Sequence, residues 1–140
     1  MSESIPEFFY RISAKALILN EEKKFLLTRK DTDLWELPGA KLGFGDSGPE
    51  GIRKALKAEM GIDIISVNPH PSYFLTVKNM NGIWIANIIY KTEIDPKQLN
   101  HIPTNKECKE VQFFNKIGAG ALYLYPNGKE FLRLFDPEDW

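Results

Sequence analysis

Residues 37–62, LPGAKLGFGDSGPEGIRKALKAEMGI, constrain the fold most: a strand-like exit, a glycine-rich loop and a helix marked at both ends follow without a break. Ser47 and Glu50 make the S-x-x-E pattern of a capping box and Gly61 supplies a stop, so the spacing predicts a helix over 48–60. At about 100° per residue, Ile52, Leu56 and Met60 share one stripe, which must face a core. Arg53, Lys54 and Lys57 cover much of the rest. Between them runs a third stripe of Gly51, Ala55, Ala58 and Glu59, small except for its last member. Glu59 thus emerges beside apolar neighbours, where a carboxylate is costly unless a cation or hydrogen-bond donors meet it. Two readings follow: it accepts from a nearby loop or pairs with a lysine, or it holds a metal ion. The loop PGAKLGFGDSG carries four glycines in eleven residues, which suits close approach to a ligand and equally suits a plain connection.

Around this unit, FFYRISAKALIL, KFLLTRK, IDIISV, YFLTV, IWIANIIYKTEI and VQFF read as strands, rich in β-branched and aromatic residues and separated by turn residues. Asn79 to Gly82 predict a hairpin, with Asn81-Gly82 suited to the positive φ angles of a tight turn. A second helix is expected from about Pro126, with Phe131, Leu132, Leu134 and Phe135 as its apolar face, after a loop and short helical turn in NKIGAGALYLY. Residues 95–107 read as one long polar loop. Strands on both sides of a central helix imply an α/β domain with a mixed sheet and helices packed against it, and 140 residues with 43% hydrophobic content suffice for one such domain over 1–140.

Charge narrows the partners. A net charge of −1, from 18 basic and 19 acidic residues spread along the chain, leaves no footprint for long nucleic acid. A small phosphorylated ligand needs only two or three placed cations. The longest apolar run, Ala16 to Leu19, is too short to cross a membrane. Cys108 is the lone cysteine and the N-terminus lacks a secretory pattern, so the expected compartment is the cytoplasm. Arg29, Lys30 and Lys41 are the candidate phosphate ligands, and Trp35, Tyr73, Phe74 and Trp84 the aromatic faces on which a base could stack.

Taken together, the strand-loop-helix order and WELPGAKLGFGDSGPEGIRKALKAEMGI resemble a Nudix box, the signature of hydrolases acting on a nucleoside diphosphate linked to another moiety. The family pattern G-x5-E-x7-R-E-U-x-E-E-x-G-U, with U a bulky aliphatic, lies on the chain without gaps. Leu56, Glu59, Gly61 and Ile62 match it, Asp46 and Lys54 are conservative, and Ala40, Ala55 and Ala58 replace a glycine and two glutamates. RISAKALILN and KFLLTRK resemble the two family strands before the box, and KECKEVQFF the acidic segment after it.

The resemblance implies a Nudix-type α/β/α sandwich with a central mixed β-sheet. It implies one Mg²⁺ or Mn²⁺ held by Glu59, the Ala40 backbone carbonyl and Glu107 or Glu110, with Glu110 a candidate base and Arg29 and Lys41 on the phosphates. Ala55 and Ala58 cannot ligate, so it implies a one-metal site and reduced or atypical hydrolysis of a small nucleoside diphosphate derivative. The other reading it leaves open is a catalytically inactive Nudix domain that binds a nucleotide or a protein. A homodimer is also left open.

Overall fold

The computed structural model describes residues 8–102 and 108–140. Strand β1 (Arg11–Leu17) is followed by β2 (Phe25–Arg29), β3 (Trp35–Glu36) and β4 (Gly39–Leu42), then helix α1 (Gly48–Met60). Strands β5 (Ile64–Val67), β6 (Tyr73–Lys78), β7 (Trp84–Ile94) and β8 (Glu110–Phe114) precede helices α2 (Lys116–Gly120) and α3 (Pro126–Leu134). One sheet has the order β4-β1-β7-β5, with β6 also on β7; the other has the order β3-β2-β8. The β1–β7 pairing is parallel and the other pairings of the first sheet are antiparallel, so that sheet is mixed.

Alternation along β1 and β2 explains why helices cover both faces. Ala14, Ala16 and Leu26 pack in one core with Ile52, Leu56 and Met60 of α1. The intervening Leu17, Phe25 and Leu27 pack in a second core with Phe131 and Phe135 from the α3 region. Side chains one residue apart in a strand point to opposite faces, so two helices are recruited, one per face. In the second core the Phe25 ring meets Phe131 and Phe135 edge to face, 5.1 Å from each.

The ends of α1 are built as its sequence predicts. The Ser47 side chain accepts from the Glu50 backbone N–H at 3.2 Å. Gly61 takes φ 67°, and its N–H and that of Ile62 return to the carbonyls of Lys57 and Leu56. The returning half of a capping box is replaced: the Glu50 carboxylate lies 3.9 Å from Arg53. Gly51 owes its size to packing, because a Cβ there would stand 2.6 Å from a methyl of Leu42 on β4.

Four expectations are corrected. Residues 39–42 form a strand paired with β1 inside the stretch read as a glycine loop. Residues 95–107 are interrupted by a 3-10 helix at Pro96–His101, with Asp95 accepting at its start. The β6–β7 turn spans five residues, and only Gly82 has positive φ, at 82°. Asn79 Oδ1 accepts from the N–H groups of Asn81 and Ile83, each at 2.9 Å, which stabilises a wider loop than the tight turn expected. The small stripe of α1 is also divided, since Ala55 is buried and Ala58 exposed.

Two substitutions test this architecture. Gly39→Ala is expected to lower stability by about 1–3 kcal/mol, because its Cβ would meet the Ala14 carbonyl oxygen. Ser47→Ala is expected to cost about 1 kcal/mol. Urea unfolding followed by circular dichroism measures both.

Candidate functional site

A cleft of about 530 Å³ opens between the two sheets. Ser13 and Lys15 of β1 and Asn87 of β7 line one wall, Thr28 of β2 and Glu36 of β3 the other. Each of Ser13, Lys15, Thr28 and Asn87 is at least nine-tenths buried, so the floor is polar within an otherwise apolar sandwich. Lys15 and Glu36 form an ion pair across the gap, with side chains 10% and 17% exposed. Beside them Asn127, in the first turn of α3, donates from Nδ2 to Asn87 Oδ1 at 3.3 Å. Asn127 Oδ1 is buried and has no hydrogen-bond partner among the described residues. A buried orphan acceptor costs about 1–3 kcal/mol, and it is the kind of group that a ligand donor satisfies.

At the other end of the cleft stand Lys30, Ala40, Lys41 and Glu59. Glu59 leaves the last turn of α1 with its side chain 20% exposed, and its Oε1 lies 4.0 Å from Lys30 Nζ. Pairing with a lysine, one of the two readings of Glu59, is therefore what the geometry contains. Cys108, 2% exposed, belongs to the core beneath α1. Burial pushes its thiol above the ordinary range and the negative charge of Glu59 adds to this, against a backbone hydrogen bond from Glu110 and the charge of Lys30. The cysteine is thus electrically coupled to the cleft acid, a relation with no signal in sequence.

Other candidates lie elsewhere. Arg29 and Glu110 face each other across β2 and β8, with Arg29 Nε donating to Glu110 Oε1 at 3.3 Å. The Arg29 guanidinium also donates to the carbonyls of Thr32 at 3.1 Å and Lys30 at 3.4 Å. Neither residue lines the cleft. Glu107 lies outside the described residues. Asp46 turns inward on its own loop, accepting from the Gly43 N–H at 2.7 Å. Trp35 is buried against Phe114, and Tyr73 packs on Phe131, so both are core. Phe74 and Trp84 are exposed away from the cleft, whose only aromatic lining residue among those described is Tyr125.

Mg²⁺ takes oxygen ligands and is commonly held by one or two carboxylates together with substrate phosphates. The half-buried Glu59 carboxylate, on the same cleft as Ala40, Lys30 and Lys41, fits one ion shared with a phosphorylated ligand. It does not fit a cluster, because no group of three or more His, Cys, Asp or Glu side chains able to hold an ion occurs among the described residues.

No family model and no curated protein matches this sequence. Solved structures do. The chain is similar to the MutT protein from Methanosarcina mazei Go1 at 22% identity and a TM-score of 0.74, covering 96% of this chain and 99% of that one. It is similar to an ADP-ribose pyrophosphatase from Streptococcus suis 89-1591 at 21% identity and a TM-score of 0.61, covering 90% and 89%. A UDP-X diphosphatase aligns at 21% identity and a TM-score of 0.64 over 92% of this chain and 64% of its own. The chain has the fold of the Nudix hydrolases, an α/β/α sandwich around a mixed sheet. Among the described residues no helix is long and apolar enough to cross a membrane.

The floor pair is open to test. Lys15→Met alone is expected to destabilise the protein by about 3–5 kcal/mol by stranding Glu36, and Lys15→Met with Glu36→Leu to recover most of the loss in urea unfolding. Cys108 gives a pH dependence. Its folded pKa is raised, so the unfolded thiol loses its proton first and stability falls as pH rises through the ordinary thiol range; below that range the group contributes nothing. The slope of stability between about pH 8 and about pH 10 should be shallower in Cys108→Ala.

Proposed function

We propose that this chain is a Nudix-type hydrolase of a nucleoside diphosphate linked to another moiety, dependent on Mg²⁺ or Mn²⁺ and of reduced turnover. The observation that carries the proposal is the meeting of Glu59 with Lys30, Lys41 and Ala40 on one cleft. Its volume of about 530 Å³ falls within the range of ordinary small-ligand sites. Neighbouring folds that include a MutT protein, an ADP-ribose pyrophosphatase and a UDP-X diphosphatase support the same class.

In this reading Lys41, exposed at the rim, and Lys30 receive the phosphate oxygens through charge-assisted hydrogen bonds. Glu59 and the Ala40 carbonyl would hold the ion, with Glu107 a further ligand. When bound, that ion neutralises charge on the bridging and terminal oxygens and acidifies water. The moiety beyond the phosphates extends over the polar floor, where the Asn127 Oδ1 acceptor awaits a donor and Tyr125 offers a ring face. Arg29 and Glu110 act on each other rather than on the substrate, Arg29 serving to fix the strand end that carries Lys30. Ala55 and Ala58 supply no ligand, which is why turnover is expected to be low. The cytoplasm is the compartment assigned.

A second reading is favoured by one observation: Lys30 already balances Glu59, and no carboxylate cluster accompanies it among the described residues. A domain of that kind binds a nucleotide without cleaving it. Phosphate release from nucleoside triphosphates, dinucleotides and nucleotide sugars, in Mg²⁺ and in Mn²⁺, separates the two. Slow metal-dependent turnover that drops about 100- to 1,000-fold in a folded Glu59→Gln protein is expected. Unchanged turnover in that variant would sink the assignment of Glu59. No turnover on any member, with retained nucleotide binding, would establish the second reading.

A further inference from the structure

Helix α1 leaves part of its sheet face bare. Trp84, Ala86 and Ile88 of β7 point to the α1 side, where Ile12 of β1 is the register partner of Ala86, and Lys78 and Phe74 of β6 are those of Trp84 and Ile88. Ala14, Ala16 and Ile88 pack with α1, whereas Ile12, Phe74 and Trp84 belong to neither core. Trp84 meets the Tyr10 ring edge to face at 6.5 Å, and with Phe8, Phe9 and Ile83 these two rings line a groove of about 510 Å³. We propose that this strip is the contact surface for a second copy of the chain, joined about a two-fold axis so that Phe74 of each copy seats in the aromatic groove of the other.

The strip exposes enough apolar surface for such a contact. Phe8, Phe9, Tyr10, Phe74 and Trp84 are 82%, 69%, 49%, 64% and 48% exposed. At about 150–250 Å² per aromatic side chain, these fractions leave about 500–800 Å² of ring surface in water. The largest apolar patch of a typical monomer is about 300–600 Å². One side of a standard-size interface is about 800 Å², of which about 65% is apolar in homodimers. The five rings therefore supply the apolar share of one such side.

Shape and charge choose the occupant. An isologous contact needs a surface complementary to itself, because each pair of touching residues occurs twice. The strip holds both halves of such a fit: an exposed ring outside either core, Phe74, and a groove walled by rings at Tyr10 and Trp84. Among the β6 and β7 positions on this face only Lys78 is charged, so a charged partner finds little to steer it. Aromatic enrichment with few charges is the composition of an interface core. The candidate cleft lies on the opposite face of the same strands, lined by Val77, Ile85 and Asn87, so a copy seated on the strip leaves it open.

Sedimentation velocity of the full chain over a concentration series tests the contact, with circular dichroism as the check on folding. The parent is expected to sediment as a dimer, and Phe74→Glu and Trp84→Lys each to weaken self-association at least about 30-fold. Mixing the two variants in equal amounts is expected to restore a dimer: one native ring-in-groove contact re-forms, and at the other the introduced carboxylate meets the introduced ammonium. A variant that fails to fold could not be rescued in this way. A parent that is monomeric at every concentration would overturn the proposal and leave the strip to a different partner. A dimer that survives both substitutions would overturn it by placing the contact elsewhere. Two folded, monomeric variants that stay apart on mixing would overturn the reciprocal seating. None of these outcomes depends on turnover, so the reading of the cleft stands or falls separately.

Discussion

β1 is the strand on which the rest of the molecule depends. It pairs with β4 on one side and β7 on the other, and its alternating side chains belong to both cores. Ala14 and Ala16 are small because α1 closes directly over them, while Leu17 reaches toward the aromatic cluster of α3. If β1 slipped by one residue, Lys15 would enter the α1 core and the alanines would face the ring cluster. Register in this strand is therefore fixed by burial on two sides.

The cleft is a consequence of the same alternation. Ser13 and Lys15 share a face with Leu17, so the side of β1 that is apolar at its end becomes polar toward its start. Asn87 on the parallel partner β7 is the register partner of Ser13 and continues the polar patch. Polar residues this deep need partners, and they find them across the gap: Lys15 takes Glu36 of the second sheet, Asn87 takes Asn127 of α3. Two clasps between layers thus coincide with the floor of the site. The groups that hold the sheets at their spacing are the groups a ligand would touch.

What was legible in sequence follows from how local each signal is. The ends of α1, its core stripe and the existence of the β6–β7 hairpin depend on residues within a few positions of one another, and periodicity or capping reports them directly. The strand at Gly39–Leu42 was hidden because its glycine and its short length resemble a loop, whereas its stability comes from pairing with β1 more than twenty residues away. The engagement of Arg29 with Glu110 was equally hidden, since 81 residues separate two side chains that β2 and β8 bring face to face. Lys15 and Asn87 did leave a trace. Each interrupts an apolar strand, in ISAKALIL and IWIANIIY, and a polar residue at a buried strand position asks for a partner that only the fold can supply.

Ala55 and Ala58, one turn apart on α1, stand in different environments. Ala55 is 9% exposed and packs with Ile52 and Leu56, so the helix edge there belongs to the core beneath α1. A carboxylate at that position would need a new partner in an environment that offers none nearby on the helix. Ala58 is exposed beside Lys54 and Lys57, and a carboxylate there would meet water and two cations. Burial thus constrains position 55 and leaves position 58 open to a charged side chain. Glu59 follows Ala58 with its side chain 20% exposed and 4.0 Å from Lys30, so it belongs to the cleft and not to the core that takes in Ala55.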